Sequence, residues 1–242
     1  MPSDSGITLK VVRRILNLAT NEWVDEHGLT WLLTAPRIKL LSDTNKRKPY
    51  PLSRDEEARL FAALPTHLVD MALFAVNTGC RDSEICSLRW EWAVDVPELN
   101  TTVFIIPGER VKNGDDRLVV LNRTALAVVH RQQNAHPDIV FTYRGEPVTR
   151  MLNSAWIRAR TAVGLTQVRV HDLKHTFGRR LRSVGVSFED RQDLLGHRSA
   201  RITTHYSAAE LSRLLDAANR VCADDATGQQ PEIVVLRRFG AI

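Results

Sequence analysis

The sequence predicts a mainly α fold with one small antiparallel β-sheet. Three observations carry that expectation. Apolar residues recur at helical spacing through most of the chain, as in Leu173, Phe177, Leu181 and Val184. Helix-start and helix-stop residues punctuate these runs, Ser53 with Glu56 at one end and Gly185 at another. A single stretch, TTVFIIPGERVKNGDDRLVVLN, sets two β-branched runs on either side of a polar, glycine-containing turn.

The elements follow in order. Leu9, Val12, Ile15, Leu16, Ala19 and Trp23 predict a helix over residues 9–24, whose apolar stripe needs a partner. Residues 34–51, TAPRIKLLSDTNKRKPYP, read as a linker with the basic cluster Lys46, Arg47, Lys48. Ser53 and Glu56 form a capping box that opens the helix RDEEARLFAAL. A second apolar helix spans about 66–76, with Leu68, Met71, Phe74 and Ala75 inward. Gly79 breaks it and Arg81 opens the next, which puts a guanidinium beside free backbone N–H groups, a favourable place for phosphate. After the hairpin, helices are expected at 123–133 and 149–162, with Trp156 in the core and FTYRGEPV between them as a loop or edge strand. Leu211, Leu214, Leu215, Ala218 and Val221 mark a further helix, and IVVLRRF near the end reads as a strand or docking segment.

Between these lies residues 169–207, where eight basic residues stand against four acidic ones. At 100° per residue Leu173, Phe177, Leu181 and Val184 share one face, while His171, Lys174, His175, Gly178 and Arg182 share the other. Three polar side chains of that second face can converge on a ligand, and Gly178 leaves room for it to approach the backbone. Ser187 with Asp190 caps a short helix expected to turn Phe188, Leu194 and Leu195 inward; Gly196 stops it and His197 follows.

A chain of 242 residues with formal net charge +5 fits a polyanionic partner and is long enough to bury a substantial core. Cys80, Cys86 and Cys222 are odd in number and contain no C-x-x-C pair, which argues against a disulfide framework or structural zinc and fits a reducing cytoplasm. No apolar run approaches a membrane span, and MPSDSGITLK lacks the apolar core of a secretory signal.

HDLKHTF, then LGHRS, then Tyr206 nine residues after His197 resembles the carboxy-terminal signature of the tyrosine recombinases, the phage integrase family, and TGCRDSEICSLRW resembles that family's first catalytic block. The resemblance covers roughly residues 50–220 and implies the integrase catalytic-domain fold. It implies a site-specific recombinase, a DNA strand transferase working through a 3′-phosphotyrosyl intermediate, without cofactor or metal. Tyr206 would be the nucleophile; Arg81, His171, Lys174 and His197 would surround the phosphate; Lys112, in the hairpin turn, would be the leaving-group acid. Glu84 would be a buried organiser and His175 a supporting residue, although the residue pattern alone reads Glu84 as a helix-surface carboxylate and His175 as a core-edge histidine. Lys46, Arg47, Lys48, Arg179, Arg182 and Arg198 would contact DNA.

The family's pattern has Arg where Lys174 stands. A lysine keeps the charge and loses the planar bidentate fork, so an attenuated reaction is expected. The expected organisation is a helical remnant of an amino-terminal core-binding domain at 1–33, a linker at 34–51, the catalytic domain at 52–221 and a tail at 222–242. Expected partners are double-stranded DNA and a homo-tetramer on synapsed DNA, weakly associated or monomeric without DNA, with no membrane; the expected setting is the cytoplasm, for a bacterial or phage-encoded, DNA-associated protein. Two rivals remain. A non-catalytic or attenuated DNA-binding regulator keeps the same fold. A zinc hydrolase is raised by His171 and His175 at i, i+4, but that motif wants Glu directly after the first His, where Asp172 stands, and no third ligand is evident.

Overall fold

The computed structural model describes residues 4–41, 47–196 and 207–222. Lys46, His197, Arg198, Tyr206 and the IVVLRRF segment lie outside the described residues. Two compact units divide the chain, Met1–Lys48 and Pro49–Ile242. No helix among the described residues is long and apolar enough to cross a membrane.

The first unit carries α1 (Asp4–Asn21). It buries Ala19, and the chain turns back so that the Leu32 N–H donates to the Ala19 carbonyl at 3.0 Å. Trp23 and Trp31 meet at 5.3 Å between ring centroids. Val12, Ile15 and Trp23, half of the expected stripe, are exposed.

In the second unit, α2 (Arg54–Ala63) begins at Ser53 with the full capping box: Ser53 Oγ accepts from the Glu56 N–H, and Glu56 returns a bond to the Ser53 N–H. α3 (Thr66–Thr78) ends at Gly79, whose φ of 64° is the left-handed conformation that glycine adopts without steric cost. α4 (Asp82–Cys86) follows directly. The hairpin belongs to a three-stranded antiparallel sheet in the order β1 (Ala93–Val96), β2 (Thr101–Ile106), β3 (Arg117–Val120). The register pairs Val94 with Val103 and Phe104 with Val119. β1, a four-residue strand, was not distinguished in the sequence because its AVDV is too short to show alternation.

α5 (Arg123–Gln132) is capped by Asn122, which is buried and also donates to Asn77 Oδ1 at 3.0 Å, tying α5 to α3. FTYRGEPV is a minimal hairpin of β4 (Thr142–Tyr143) and β5 (Glu146–Pro147). α6 spans Ser154–Ala162, five residues shorter at its start than expected, because Asn153 takes the N-cap and accepts from the N–H groups of Ala155 and Trp156. Then come α7 (Val170–Ser183), α8 (Phe188–Leu195) and α9 (Ala208–Asn219).

α7 is the wall shared by two apolar clusters. Leu173 belongs to the larger, with Leu60, Met71, Phe74, Phe104, Val128, Phe141 and Trp156; Phe177 and Leu181 belong to the smaller, with Leu194, Leu214, Ala218 and Val221. Each buried Leu, Val, Met or Phe side chain of these clusters contributes about 1.5–3 kcal/mol over an exposed one. Polar pins fix α7 from the other side: Asp172 accepts from the Tyr50 N–H at 3.0 Å, Thr176 Oγ1 accepts from the Leu52 N–H at 3.0 Å, and Arg180 pairs with Glu57 at 2.7 Å. Phe188 departs from expectation. It is 61% exposed, because only Leu194 of α8 is fully turned into the smaller cluster.

Candidate active site

The break between α3 and α4 builds the first half of the site. A side chain on Gly79 would come within 2.9 Å of both Leu195 and Phe177, so the turn packs tightly against α7 and α8. Two residues on, Arg81 sits at the N-cap of α4. Its backbone N–H donates to Glu84 Oε2 at 2.7 Å and its guanidinium to Glu84 Oε1 at 2.6 Å. Glu84 is 1% exposed, so it is buried and not the helix-surface carboxylate that the residue pattern alone suggests.

A second guanidinium completes the carboxylate. Arg117, the first residue of β3 and 2% exposed, donates through Nη1 to Glu84 Oε2 and through Nη2 to the Gly79 carbonyl at 3.0 Å. Sequence reasoning missed it. The available signal was an arginine opening a strand whose other residues, Leu118, Val119 and Val120, are all apolar.

Lys174 joins the same carbonyl from α7. It is 5% exposed, and its Nζ donates to the Gly79 oxygen at 2.9 Å and to the Leu195 oxygen. The middle of the α7 face expected to receive a ligand is therefore packed: Leu195 lies 3.2 Å from where a Gly178 side chain would begin, so Gly178 admits α8 and not a ligand. His171 and His175 stand one turn apart at 4.8 Å between ring centroids, edge to face, the first exposed and the second half-buried.

The electrostatics follow from this crowding. Burial opposes charge on Glu84, but Arg117 and Arg81 outweigh it and hold the carboxyl below its usual range. Lys174 is pushed down to about 7 by burial first, then by Arg117 and Arg81, against the pull of Glu84 and Cys80. His171 is lowered by burial and by His175, Lys174 and Arg81, which favours its neutral form. Arg81, Arg117 and Lys174 thus gather round one carboxylate, and Arg81, with 23% of its side chain exposed, is the member with an outlet to solvent. Such a cluster suits an anion arriving at Arg81.

The other expected residues that are described are exposed. Lys112 is exposed in the turn between β2 and β3, five residues ahead of Arg117. That turn is closed by a bond from the Gly108 N–H to Asp116 Oδ1 at 2.8 Å and by Gly108 itself, where a side chain would meet the Gly114 carbonyl at 2.3 Å. Arg179 and Arg182 are exposed on α7, and Arg47 and Lys48 are exposed in the first unit. Among the described residues no group of three His, Cys, Asp or Glu is placed to hold a metal. An open cleft of about 750 Å³, lined by His67, Tyr143, Asn153 and Arg158 among others, includes none of the expected site residues.

Comparison with known proteins places this architecture. The integrase of Salmonella phage P22 is 29% identical over 226 residues, covering 88% of this chain and 56% of the phage protein. The tyrosine recombinase XerC of Xanthomonas campestris is 27% identical over 233 residues, covering 88% of this chain and 69% of that protein. This chain therefore spans little more than half the length of the P22 integrase. Among solved structures, a lambda integrase (75–356) dimer bound to a COC′ core site shares the fold with a TM-score of 0.55 at 18% identity, covering 96% of this chain and 76% of that one. The model of the phage integrase family matches residues 51–213, most of the chain, from the segment before α2 into α9: the chain belongs to the phage integrase family, the tyrosine recombinases.

Proposed function

We propose that the chain is a site-specific DNA recombinase that cleaves and rejoins duplex DNA through a 3′-phosphotyrosyl intermediate. The observation that supports this most is the Arg81–Glu84–Arg117–Lys174 cluster, a fixed excess of positive charge with one guanidinium reaching solvent. Relatives named integrase and tyrosine recombinase, and a fold shared with a recombinase bound to its DNA site, support the same reading.

In this reading the Tyr206 oxygen attacks the scissile phosphorus as its phenolic proton passes to water. A new P–O bond forms to the tyrosine, the P–O5′ bond breaks, and the 5′ oxygen leaves as a hydroxyl after taking a proton from Lys112. Arg81 holds the phosphate oxygens as charge builds in the transition state, with His171, His197 and Lys174 beside it. The phosphotyrosyl bond conserves the energy of the broken one, so attack by a second 5′ hydroxyl restores DNA without a nucleotide cofactor. Double-stranded DNA is the partner, and four copies assemble on the synapsed sites. Arg47, Lys48, Arg179 and Arg182, with Lys46 and Arg198, supply phosphate contacts outside the reacting centre, so binding weakens steeply with salt. The setting is the cytoplasm.

The test is a nicked suicide duplex carrying the repeats that flank the coding region, followed by mass spectrometry of the trapped adduct. The expected product is a peptide modified at Tyr206, absent from Tyr206→Phe. DNA binding without any adduct would leave a DNA-binding regulator in place of the enzyme.

A further inference from the structure

The least exposed cation of the cluster is turned inward, onto protein groups. Arg117 is 2% exposed, and its guanidinium is spent on the Glu84 carboxylate, the Gly79 carbonyl at 3.0 Å and the Thr78 carbonyl at 3.4 Å. Each of these groups leads to Arg81. Glu84 holds both the backbone N–H and the guanidinium of Arg81, and Thr78 and Gly79 form the turn from which Arg81 projects. The approach is close enough to demand a glycine opposite. A side chain at Gly196 would lie 2.6 Å from Arg117 Nε.

A buried ion pair is poor evidence for stability, since desolvating both partners cancels much of their attraction. Arg117 has a more specific consequence. Glu84 can grip Arg81 with both oxygens only while it is ionised, and in a site where burial opposes that charge, ionisation depends on the second guanidinium. We propose that Arg117 is a positioning residue for DNA cleavage: it keeps Glu84 ionised and oriented, and Glu84 in turn aims Arg81 at the phosphate. The proposal rests on the recombinase reading for the last of these links and on the contacts and burial of Glu84 for the first two. Through the Gly79 carbonyl, which also accepts from Lys174, Arg117 further ties β3 to α7 and to the α3–α4 turn. The strand that follows the Lys112 turn and the helix that bears His171 are thereby set on one support with Arg81.

The charged and titratable groups facing Glu84 are Arg81 from the N-cap of α4, Arg117 from β3, Lys174 from α7 and Cys80 from the turn. With Arg117 replaced, Arg81 and Lys174 remain to favour the carboxylate while burial still opposes it. The Glu84 carboxyl then titrates higher, and cleavage gains a dependence on pH from Glu84 in addition to any that Lys174 and His171 give the native protein.

Two measurements test this on the full chain. Carbon-detected NMR of the DNA-free protein follows the Glu84 carboxyl through a pH titration in the native protein, Arg117→Met and Arg117→Lys. Single-turnover cleavage of the nicked duplex is followed in the same proteins from mildly acidic to mildly alkaline pH, beside DNA affinity. Expected are a raised Glu84 titration in Arg117→Met, a cleavage rate lower by about a hundredfold near neutral pH, as for a misplaced reacting group, and partial recovery of that rate at higher pH. DNA affinity should change little, and Arg117→Lys should restore part of both signals. The double variant Glu84→Gln/Arg117→Met removes the buried Arg117–Glu84 pair as a whole instead of stranding one partner, which limits unfolding, and should be no slower than Glu84→Gln alone. A Glu84 titration unmoved by Arg117→Met, or rate losses that multiply in the double variant, would overturn the proposal. Absence of cleavage by the native protein would instead sink the recombinase reading, while the NMR titration still decides whether Arg117 controls Glu84.

Discussion

Replacing Lys174 by Met removes a cation from a site that resists it, and the cost can be worked from the structure. The lysine is buried, with its ammonium between the Gly79 and Leu195 carbonyls and near Arg117 and Arg81. It titrates at about 7 in the folded protein against 10.5 ordinarily. Below about 7 both folded and unfolded chains carry the proton, so the folded state bears the full penalty of the buried charge. Between about 7 and 10.5 the unfolded chain holds more protons than the folded one, and stability rises with pH; above 10.5 the contribution is complete. At about 1.4 kcal/mol per pH unit, the native protein gains about 3 kcal/mol from this residue between pH 7 and 9.5. Met fills much the same volume but takes the ammonium from both carbonyls at every pH, leaving Gly79 to Arg117 and Leu195 without that donor, a constant offset that drops out of a comparison across pH. Urea unfolding of native and Lys174→Met proteins at pH 6.5, 7.5, 8.5 and 9.5 gives the test. The native protein should gain on the variant by about 3 kcal/mol across that series. A difference that stays flat would mean an ordinary, solvated ammonium at position 174 and would refute the buried placement.

Other outcomes follow from single contacts. If Lys112 protonates the leaving 5′ oxygen, Lys112→Ala should lose about 10²–10⁴-fold in cleavage of ordinary DNA, and a substrate with sulfur at the bridging 5′ position, whose thiolate leaves unprotonated, should recover most of the loss; equal losses on both substrates would remove Lys112 from that role. Glu57→Gln leaves the buried Arg180 guanidinium without its 2.7 Å carboxylate partner and should cost about 3–5 kcal/mol in urea unfolding. Gly108→Ala drives a methyl group into the Gly114 carbonyl, so the turn bearing Lys112 must shift; the expected result is about 1–3 kcal/mol of destabilisation together with slower cleavage at unchanged DNA affinity.

Much of this protein could be read from residues three or four apart. The capping box of Ser53 and Glu56, the Ser187 cap of α8, the left-handed stops at Gly79 and Gly196 and the inward stripe of α7 all depend on groups within one helical turn of each other, and each stands in the structure where the sequence put it. The pairing of Arg81 with Glu84 is of the same kind, since a residue at the N-cap and one three positions later meet whenever a helix starts between them. The tertiary structure alone decided the rest. Arg117 reaches Glu84 across 33 residues of sequence and Lys174 reaches Gly79 across 95, so neither contact leaves a periodic trace. A helical wheel put Lys174 and Gly178 on the polar face of α7, and that was correct for the isolated helix; it could not show that α8 returns to cover the face with Leu195 while leaving Phe188 outside. Side-chain periodicity separates the faces of a helix, whereas which neighbour each face meets is fixed by the packing of the whole domain, and at this site packing turned a surface lysine into a buried one.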